Sequence, residues 1–387
     1  MKEGWKLEKL GDVLKVIRGS SPRPIKNFIS ENEDGVNWIK IGDVGENEKY
    51  VTSTKQKITA EGALRSRYVE IGDFIFSNSM SFGRAYIMKI DGYIHDGWFS
   101  FKLPENIDHN YLWYLFRSPN LYEQIQKLAS GAIVLNISGD LIKKAVLPLP
   151  LLTEQQAIVE KLDFAFDAIE KAKANIEKNI ENAKELFQSK LNEIFSQKGE
   201  GWEEKKLKEV CSYSKIKNVK NLPYIGLEHI KANTGEFIGS QEPFKVKSDT
   251  FYFDDKVLLY GRLRPYLNKV FLPSFEGHCS TEIFPVLPNE KYVDRGFLFF
   301  WFFSENINKK INDTCTGARM PRANMNEVLN FTINYPSSLK VQKKIFLQLE
   351  ELTQQISLLQ EKYKQKLANL EELKKSILEK AFKGELV

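Results

Sequence analysis

Cysteine is scarce in this sequence, and no apolar run is long. The three cysteines, Cys211, Cys279 and Cys315, lie too far apart for the paired spacings of zinc sites and disulfide frameworks. The longest apolar run, residues 297–303, is far shorter than the roughly 20 residues that span a membrane. No apolar signal-peptide core stands near the first residue. We therefore expect a cytoplasmic protein without a structural metal.

Neither sign of charge dominates the sequence. Among the 387 residues, 56 Lys and Arg stand against 51 Asp and Glu, which gives a net charge of +5. Such a mild positive excess permits nucleic-acid binding but does not by itself indicate it. The length predicts two domains or slightly more, because domains typically have roughly 100–200 residues.

Motifs for catalysis are missing as well. The sequence contains neither of the common glycine-rich nucleotide loops and no Asn/Asp-Pro-Pro-Tyr/Phe motif of the amino-methyltransferases. His229 and His278 are the candidates for a catalytic base, but a lone histidine without a mapped partner is more often structural. We therefore predict that this chain carries no catalytic residue, no metal ligand and no cofactor of its own.

What the sequence does contain is an internal repeat. Gly4-Trp5 opens one half and Gly201-Trp202 opens the other in a similar frame. A constant offset of 187 residues, without a gap, aligns Gln155 with Gln342. This agreement over long segments indicates a duplication. Further matches are Gly131-Ala132 with Gly317-Ala318, Ile158 with Ile345, and Phe195 with Phe382.

The repeat predicts a mixed segment and a long helix, each present twice. Aromatic-rich alternating runs, cut by Gly, Asn and Asp, indicate strands in the mixed segments. One apolar, helix-like stretch follows in each mixed segment, so the predicted fold class is α+β. The predicted boundaries of the four segments are 1–153, 154–198, 199–338 and 339–387.

The long helices have the apolar pattern of a coiled coil. Apolar residues alternate in steps of three and four, with the polar Asn179 and Lys366 near the middle. A compact domain cannot cover a helix of roughly 60 Å, so we expect the helices to pair, antiparallel, with a buried polar contact at mid-helix. The predicted helix-pairing seam consists of Ile158, Leu162, Ile169, Ile176, Asn179, Leu349, Leu352, Ile356, Leu359 and Lys366.

The candidates for a binding surface are four basic loops that also contain glycine. They lie at residues 18–24, 81–86, 260–269 and 317–324. Arginine suits guanine edges, and lysine suits phosphates. Each arginine alone is equally well explained as a surface residue, but four such loops in duplicated segments favour DNA. The candidate DNA-binding residues are Arg18, Arg23, Lys40, Arg84, Tyr260, Arg262, Arg264, Tyr266, Lys269, Arg319 and Arg322.

Two motifs bring a family resemblance. Residues 147–158 read Leu-Pro-Leu-Pro-Leu-Leu-Thr-Glu-Gln-Gln-Ala-Ile, and residues 381–386 read Ala-Phe-Lys-Gly-Glu-Leu. Together with the two Gly-Trp openings, they make the whole chain resemble the DNA-specificity subunits of type I restriction–modification systems. The second helix keeps Gln342 but has Val341 where Glu-Gln is usual in the family.

The resemblance implies how the parts work together. The mixed segments would be target-recognition domains that each read one half of a split DNA sequence. The paired helices would be a spacer that gives a pseudo-twofold arrangement and docks two methyltransferase (M) subunits. S-adenosylmethionine, and ATP with Mg²⁺ in restriction, would be bound by the partner subunits, which include restriction (R) subunits in some systems.

Two other hypotheses compete with this interpretation. The chain would be a coiled-coil scaffold with two protein-binding end domains and no DNA specificity, or a self-contained restriction or modification enzyme. The first predicts no salt-dependent DNA affinity, and the second predicts activity of the purified chain alone on DNA.

Overall fold

The computed structural model describes residues 2, 4–78, 82–129, 136–218, 220–317 and 319–386. Residue 81 of the second basic loop, and Gly131-Ala132 and Ala318 of the repeat, lie outside the described residues. The chain divides into two compact units. Unit 1 comprises Met1–Asn175 and Gln365–Val387, and unit 2 comprises Ile176–Lys364.

Unit 1 contains two larger sheets and one strand pair. Their strand orders are β3-β6-β4-β10-β7, β2-β11-β8-β9-β5 and β1-β12. The strands are β1 (Lys6–Lys9), β2 (Lys15–Arg18), β3 (Ile29–Ser30), β4 (Val36–Ile39), β5 (Tyr50–Val51), β6 (Gln56–Ile58), β7 (Arg67–Val69), β8 (Phe74–Ser77), β9 (Ala85–Met88), β10 (Gly92–Ile94), β11 (Trp98–Lys102) and β12 (Val146–Leu149). The helices are α1 (Leu10–Val13), α2 (Ala60–Leu64), α3 (His109–Phe116), α4 (Pro119–Leu128), α5 (Gly139–Ile142) and the first half of α6 (Leu152–Phe195).

Unit 2 repeats this plan with smaller sheets. Their strand orders are β14-β20-β17-β18, β15-β19-β16 and β13-β21. The strands are β13 (Trp202–Lys206), β14 (Cys211–Tyr213), β15 (Tyr224–Ile225), β16 (Thr250–Phe253), β17 (Leu258–Gly261), β18 (Val270–Phe271), β19 (Gly277–Ser280), β20 (Ile283–Pro288) and β21 (Thr332–Pro336). The helices are α7 (Leu207–Val210), α8 (Arg295–Phe303), α9 (Glu305–Asp313), α10 (Met325–Val328) and α11 (Leu339–Lys383), whose last turns belong to unit 1.

The strand pairing shows the duplication directly. In unit 1, β10 pairs parallel with β4 and antiparallel with β7, and the next strand, β11, joins the other sheet. In unit 2, β19 pairs parallel with β15 and antiparallel with β16, and β20 likewise joins the other sheet. The turns β10–β11 and β19–β20 therefore occupy the same topological position in the two units.

Each unit has an apolar helix at its centre. Asp108 caps α3 and Asp294 caps α8, and each carboxylate accepts hydrogen bonds from two backbone N–H groups of the first turn. Residues 111–116 of α3 and 296–303 of α8 are buried. These two helices therefore form the cores on which the sheets and the long helices pack.

A buried glutamine fastens each long helix to its domain. The Gln155 amide accepts from the Asp108 backbone N–H at 2.9 Å, and donates to the carbonyls of Asn106 and Pro150, both at 3.0 Å. Gln342 repeats this pattern at the N-terminal end of α11. It accepts from the Asp294 N–H at 2.7 Å and donates to the carbonyls of Tyr292 and Pro336 at 2.8 and 2.7 Å.

The long helices are antiparallel where they meet in unit 1. Lys173 pairs with Glu371 at 2.7 Å, and Glu170 pairs with Lys374 at 3.0 Å. Residue numbers therefore rise along one helix while they fall along the other. The predicted α+β class with long paired helices is confirmed. The four predicted segment boundaries stay predictions, because the two compact units take one half of each long helix.

The predicted seam is wrong in the middle of both helices. Asn179, Leu359 and Lys366 are exposed, whereas the heptad pattern predicts that they are buried. The shielded positions are the next residues along the chain, since a strict seven-residue repeat drifts by about 20° per heptad on a straight helix. Shielded seam residues are Ile158, Leu162, Ile169, Ile176, Ile180 and Phe187 in α6, and Leu349, Leu352, Ile356, Gln360 and Leu367 in α11.

These shielded positions recur every eleven residues. Ile169 and Ile180 are one such pair in α6, and Ile356 and Leu367 are another in α11. An eleven-residue repeat has about 3.67 residues per turn, close to the 3.6 of a straight helix.

Within the described ranges, no helix is both long and apolar enough to cross a bilayer.

The glutamine contacts predict a large effect of one substitution. Replacing Gln155 with Leu leaves one N–H and two carbonyls without their partner in a buried site, so we expect a loss of about 3 kcal/mol in the free energy of unfolding. The neighbouring Gln156 is exposed, so Gln156→Leu is the matched control and changes this energy by less than about 0.5 kcal/mol. Urea unfolding followed by circular dichroism measures both. Equal effects of the two variants would contradict the assignment.

The corrected seam predicts opposite outcomes for two adjacent residues. Phe187 is 7% exposed and lies in the core of unit 2, whereas Leu186 is 65% exposed. Phe187→Ala should lower the free energy of unfolding by about 3 kcal/mol, while Leu186→Ala should change it by less than about 0.5 kcal/mol. Thermal and urea unfolding of the two variants decide. Leu186 is seven residues after Asn179, so the heptad pattern places it on the seam. A larger loss for Leu186→Ala would restore the heptad assignment.

Candidate nucleic-acid interface

Unit 1 has a cleft of about 1300 Å³ that brings three predicted residues together. Arg23, Lys40 and Arg84 line it, although they come from three separate segments of the sequence. Sequence reasoning missed two further lysines in the wall. The only signal for Lys26 was its position two residues after the Pro-Arg-Pro run, and Lys55 had none. The charged side chains in the lining are Arg23, Lys26, Lys40, Lys55, Arg84, Asp43, Glu46 and Asp96.

Asp96, in the β10–β11 turn, organises one side of the cleft. Its carboxylate accepts hydrogen bonds from Ser21 at 2.8 Å and from Arg23 Nη2 at 3.0 Å. Its backbone carbonyl accepts from Arg18 Nε at 3.2 Å. Partial burial by itself raises the pKa of Asp96, but the hydrogen bonds from Ser21 and Arg23 outweigh it and hold this pKa below its ordinary value. Asp96 is therefore ionised at neutral pH.

His95 belongs to the wall of the same cleft. Its ring lies 6.3 Å from the Trp38 ring and 6.2 Å from the Trp98 ring, between centroids. Burial lowers the pKa of His95 despite the adjacent Asp96, which favours a neutral ring. Nδ1 is 2.8 Å from the Gly97 backbone nitrogen, so the ring serves to hold the turn.

Arg84 also lines the cleft. Its guanidinium pairs with Glu46 at 2.7 Å, and its side chain remains 30% exposed. Lys55 donates to the Gly42 carbonyl at 3.3 Å. Five basic side chains and three acidic ones thus share the lining, and the excess is positive.

In unit 2 two predicted loops, separated by about fifty residues in the sequence, come together. The Arg264 N–H donates to the Pro321 carbonyl at 2.8 Å, and the Ala323 N–H donates to the Arg262 carbonyl at 2.9 Å. These backbone contacts place Arg262, Arg264 and Arg322 in one cluster. Arg319 is exposed in the second loop.

Glu282, in the β19–β20 turn, joins the two loops. One carboxylate oxygen accepts from Arg262 Nε at 3.0 Å and the other from Arg322 Nε at 2.9 Å. The Arg262 guanidinium also lies over the Phe284 ring, 5.4 Å from its centroid. Sequence reasoning missed Glu282 and Asp96, because it searched the basic loops and not the turns that hold them.

The tip of the first loop has a constrained backbone. Arg264 and Asn268, on either side of the short helix Pro265–Leu267, have φ angles of 51° and 43°. This left-handed region is unfavourable for residues other than glycine, and such residues often mark functional sites. The Asn268 side chain donates to the Phe303 carbonyl at 2.9 Å and holds the loop on the core.

Tyr266 and Lys269 of this loop differ in their surroundings. Tyr266 lies within the short helix and is 52% exposed. Lys269 donates to the Leu227 carbonyl at 2.6 Å, and burial lowers its pKa despite the charge of Glu228.

Tyr260 is a correction to the predicted set. It is fully buried in β17 and its ring lies 5.0 Å from that of Phe302, between centroids, so it does not reach a duplex from this position. Leu258 and Tyr260 belong to one apolar cluster and the intervening Leu259 to another, so β17 is covered on both faces.

His278 is buried, with ring nitrogens 3.0 Å from the Thr250 hydroxyl and 2.8 Å from the Phe244 carbonyl. In the part of the chain that the structure describes, no group of three or more His, Cys, Asp and Glu residues is placed to hold a metal ion.

Comparison with known families matches both halves of the chain. The model of the type I restriction modification DNA specificity domain covers residues 2–182 and 199–369. The chain belongs to this family. Its two matched segments are DNA specificity domains, so the resemblance seen in the sequence is confirmed and the scaffold hypothesis is not favoured.

Named relatives agree with the family. The type I restriction enzyme EcoDI specificity subunit of Escherichia coli is 26% identical over 73% of this chain and 71% of its own length. The StySPI specificity subunit of Salmonella potsdam is 24% identical over 99% of this chain and 89% of its own.

A solved structure shows the same fold. It comes from a study of complex assembly and conformational transition in the type I R-M system. Its chain superposes with a TM-score of 0.78 at 18% identity, over 100% of this chain and 99% of that one.

The loop geometry predicts different outcomes for two tyrosines. Tyr266→Ala removes an exposed ring from the loop tip, so we expect DNA affinity to fall by about fivefold, the effect of roughly 1 kcal/mol of stacking or van der Waals contact. Tyr260→Phe changes a residue in the core, so DNA affinity should stay unchanged. Fluorescence anisotropy with a labelled duplex and the assembled complex measures both. A loss confined to Tyr260→Phe would return that residue to the interface.

Proposed function

We propose that this chain is the non-catalytic DNA-reading subunit of a cytoplasmic type I restriction–modification complex. Each unit reads one block of a split DNA sequence. One observation carries the proposal. In both matched domains, arginines of the basic loops contact the turn at the same topological position. Arg18 and Arg23 of a single loop contact the β10–β11 turn in unit 1, and Arg262 and Arg322 of two loops contact the β19–β20 turn in unit 2.

The side chains at these turns suit the reading of a duplex. Arginine recognises guanine O6 and N7 with two parallel hydrogen bonds, and lysine contacts phosphates. In unit 1, Arg23, Lys40 and Arg84 line one cleft, which supports joint contact with bases and backbone. In unit 2, the constrained loop that carries Arg264 and Tyr266 extends from the cluster around Glu282.

Catalysis and cofactors belong to the partners in this proposal. Two methyltransferase (M) subunits bind S-adenosylmethionine and methylate adenine, and restriction (R) subunits, where present, use ATP and Mg²⁺. The specificity-subunit names of the relatives support this division of labour. The sequence supports it as well, because it carries neither a nucleotide loop nor the amino-methyltransferase motif.

A map of modified adenines tests the proposal. The chain is expressed with its methyltransferase, as wild type, Arg84→Ala and Arg264→Ala. We expect the wild type to methylate one split motif, Arg84→Ala to relax only the block read by unit 1, and Arg264→Ala to relax only the other block. The discrimination lost at a contacted base should be about five- to 100-fold.

Three outcomes would contradict the proposal. Absence of any split motif with the wild-type complex would remove the DNA-reading function. Methylation by the purified chain alone would support the self-contained enzyme instead. A change in both blocks from a single substitution would show that the units do not read separately.

A further inference from the structure

Each unit has its own carboxylate in the turn at this topological position, and the family match assigns no role to either. Asp96 lies in the β10–β11 turn, two residues before β11 begins at Trp98. Glu282 lies in the β19–β20 turn, directly before β20 begins at Ile283. Each one contacts two arginine side chains that belong to other segments of its unit. Each unit thus has an acidic residue in this turn, where its arginines meet.

In unit 2 the carboxylate contacts both guanidinium groups through Nε. Glu282 uses its two oxygens on Nε of Arg262 and Nε of Arg322, and these side chains are 32% and 39% exposed. The terminal nitrogens of Arg262 are not used by Glu282. Such a terminal pair is what binds guanine O6 and N7.

The Glu282 side chain is itself held in place. It is 22% exposed, and its backbone carbonyl accepts the Arg262 N–H at 2.9 Å. Its own N–H donates to the Ser280 hydroxyl at 3.2 Å. Backbone and side-chain contacts together fix the carboxylate relative to the two loops.

Unit 1 has a related but looser arrangement. Asp96 holds Arg23 through its carboxylate and Arg18, again through Nε, through its backbone carbonyl. The Arg23 side chain is 81% exposed. Ser21 hydrogen-bonds the carboxylate at 2.8 Å and so orients it toward Arg23.

We propose that Asp96 and Glu282 are positioning residues that orient the arginines of their own unit and so determine specificity for one DNA block each. The inference rests on the proposed DNA-reading function. Because a fixed guanidinium loses little conformational entropy on binding, orientation favours the matching base over others. The carboxylates themselves repel phosphates, so they oppose binding to DNA of unrelated sequence.

This dual effect gives the inference a distinctive signature. Glu282→Gln removes a negative charge, so affinity for unrelated duplexes should stay equal or rise. Affinity for the cognate duplex should fall, because Arg262 and Arg322 lose their orientation. A role limited to folding would instead lower both affinities in proportion to the loss of folded protein.

The experiment uses the assembled complex with its methyltransferase. Dissociation constants for the cognate and an unrelated duplex are measured at one salt concentration for wild type, Glu282→Gln and Asp96→Asn. We expect the dissociation constant for the unrelated duplex, divided by that for the cognate duplex, to fall about tenfold in each variant. In the methylation map, Glu282→Gln should relax only the block read by unit 2, and Asp96→Asn only the block read by unit 1.

Two further variants complete the test. Glu290 is exposed in the same unit, so Glu290→Gln is the matched charge control and should leave the ratio unchanged. Glu282→Asp keeps the charge and should restore part of the discrimination. If the wild-type complex reads a split motif but the ratio is unchanged in both Glu282→Gln and Asp96→Asn, this inference is wrong. The proposed function then still stands. If Glu282→Gln does not fold, Asp96→Asn decides.

Discussion

The hydrogen bonds of two buried glutamines connect the rest of the structure. Gln155 and Gln342 each join three backbone groups: the cap of the central apolar helix, the loop before it and the proline turn before the long helix. A primary amide suits this position, since it donates twice and accepts once without a charge to desolvate. The direction in which each long helix leaves its domain is therefore set by contacts at its first turn.

On this frame the two units present positive loops through turns of the same topology. Both turns contain a carboxylate, but its surroundings differ. Asp96 faces an open cleft, whereas Glu282 sits between two loops that are joined by backbone hydrogen bonds. Turns of the same topology thus hold different loops, which suits the proposal that the two domains read different DNA sequences.

The sequence predicted the duplication, the long helices and the basic loops, because each leaves a local or periodic signal. It failed for Tyr260, since alternation cannot reveal a strand that is covered on both faces. It failed for Asp96 and Glu282, since their importance arises only where distant loops meet. It placed the mid-helix seam at Asn179 and Leu359 because a heptad template was imposed on helices that follow an eleven-residue period.

That eleven-residue period also limits how these helices can change in length. Adding eleven residues to α6 would extend it by about 16 Å and return the buried stripe to nearly the same side of the axis. Adding seven would rotate everything beyond the insertion by about 33° relative to a stripe that makes three turns in eleven residues. Viable length variants of this chain should therefore differ by whole sets of three helical turns, and intermediate lengths should require compensating changes in the packed residues.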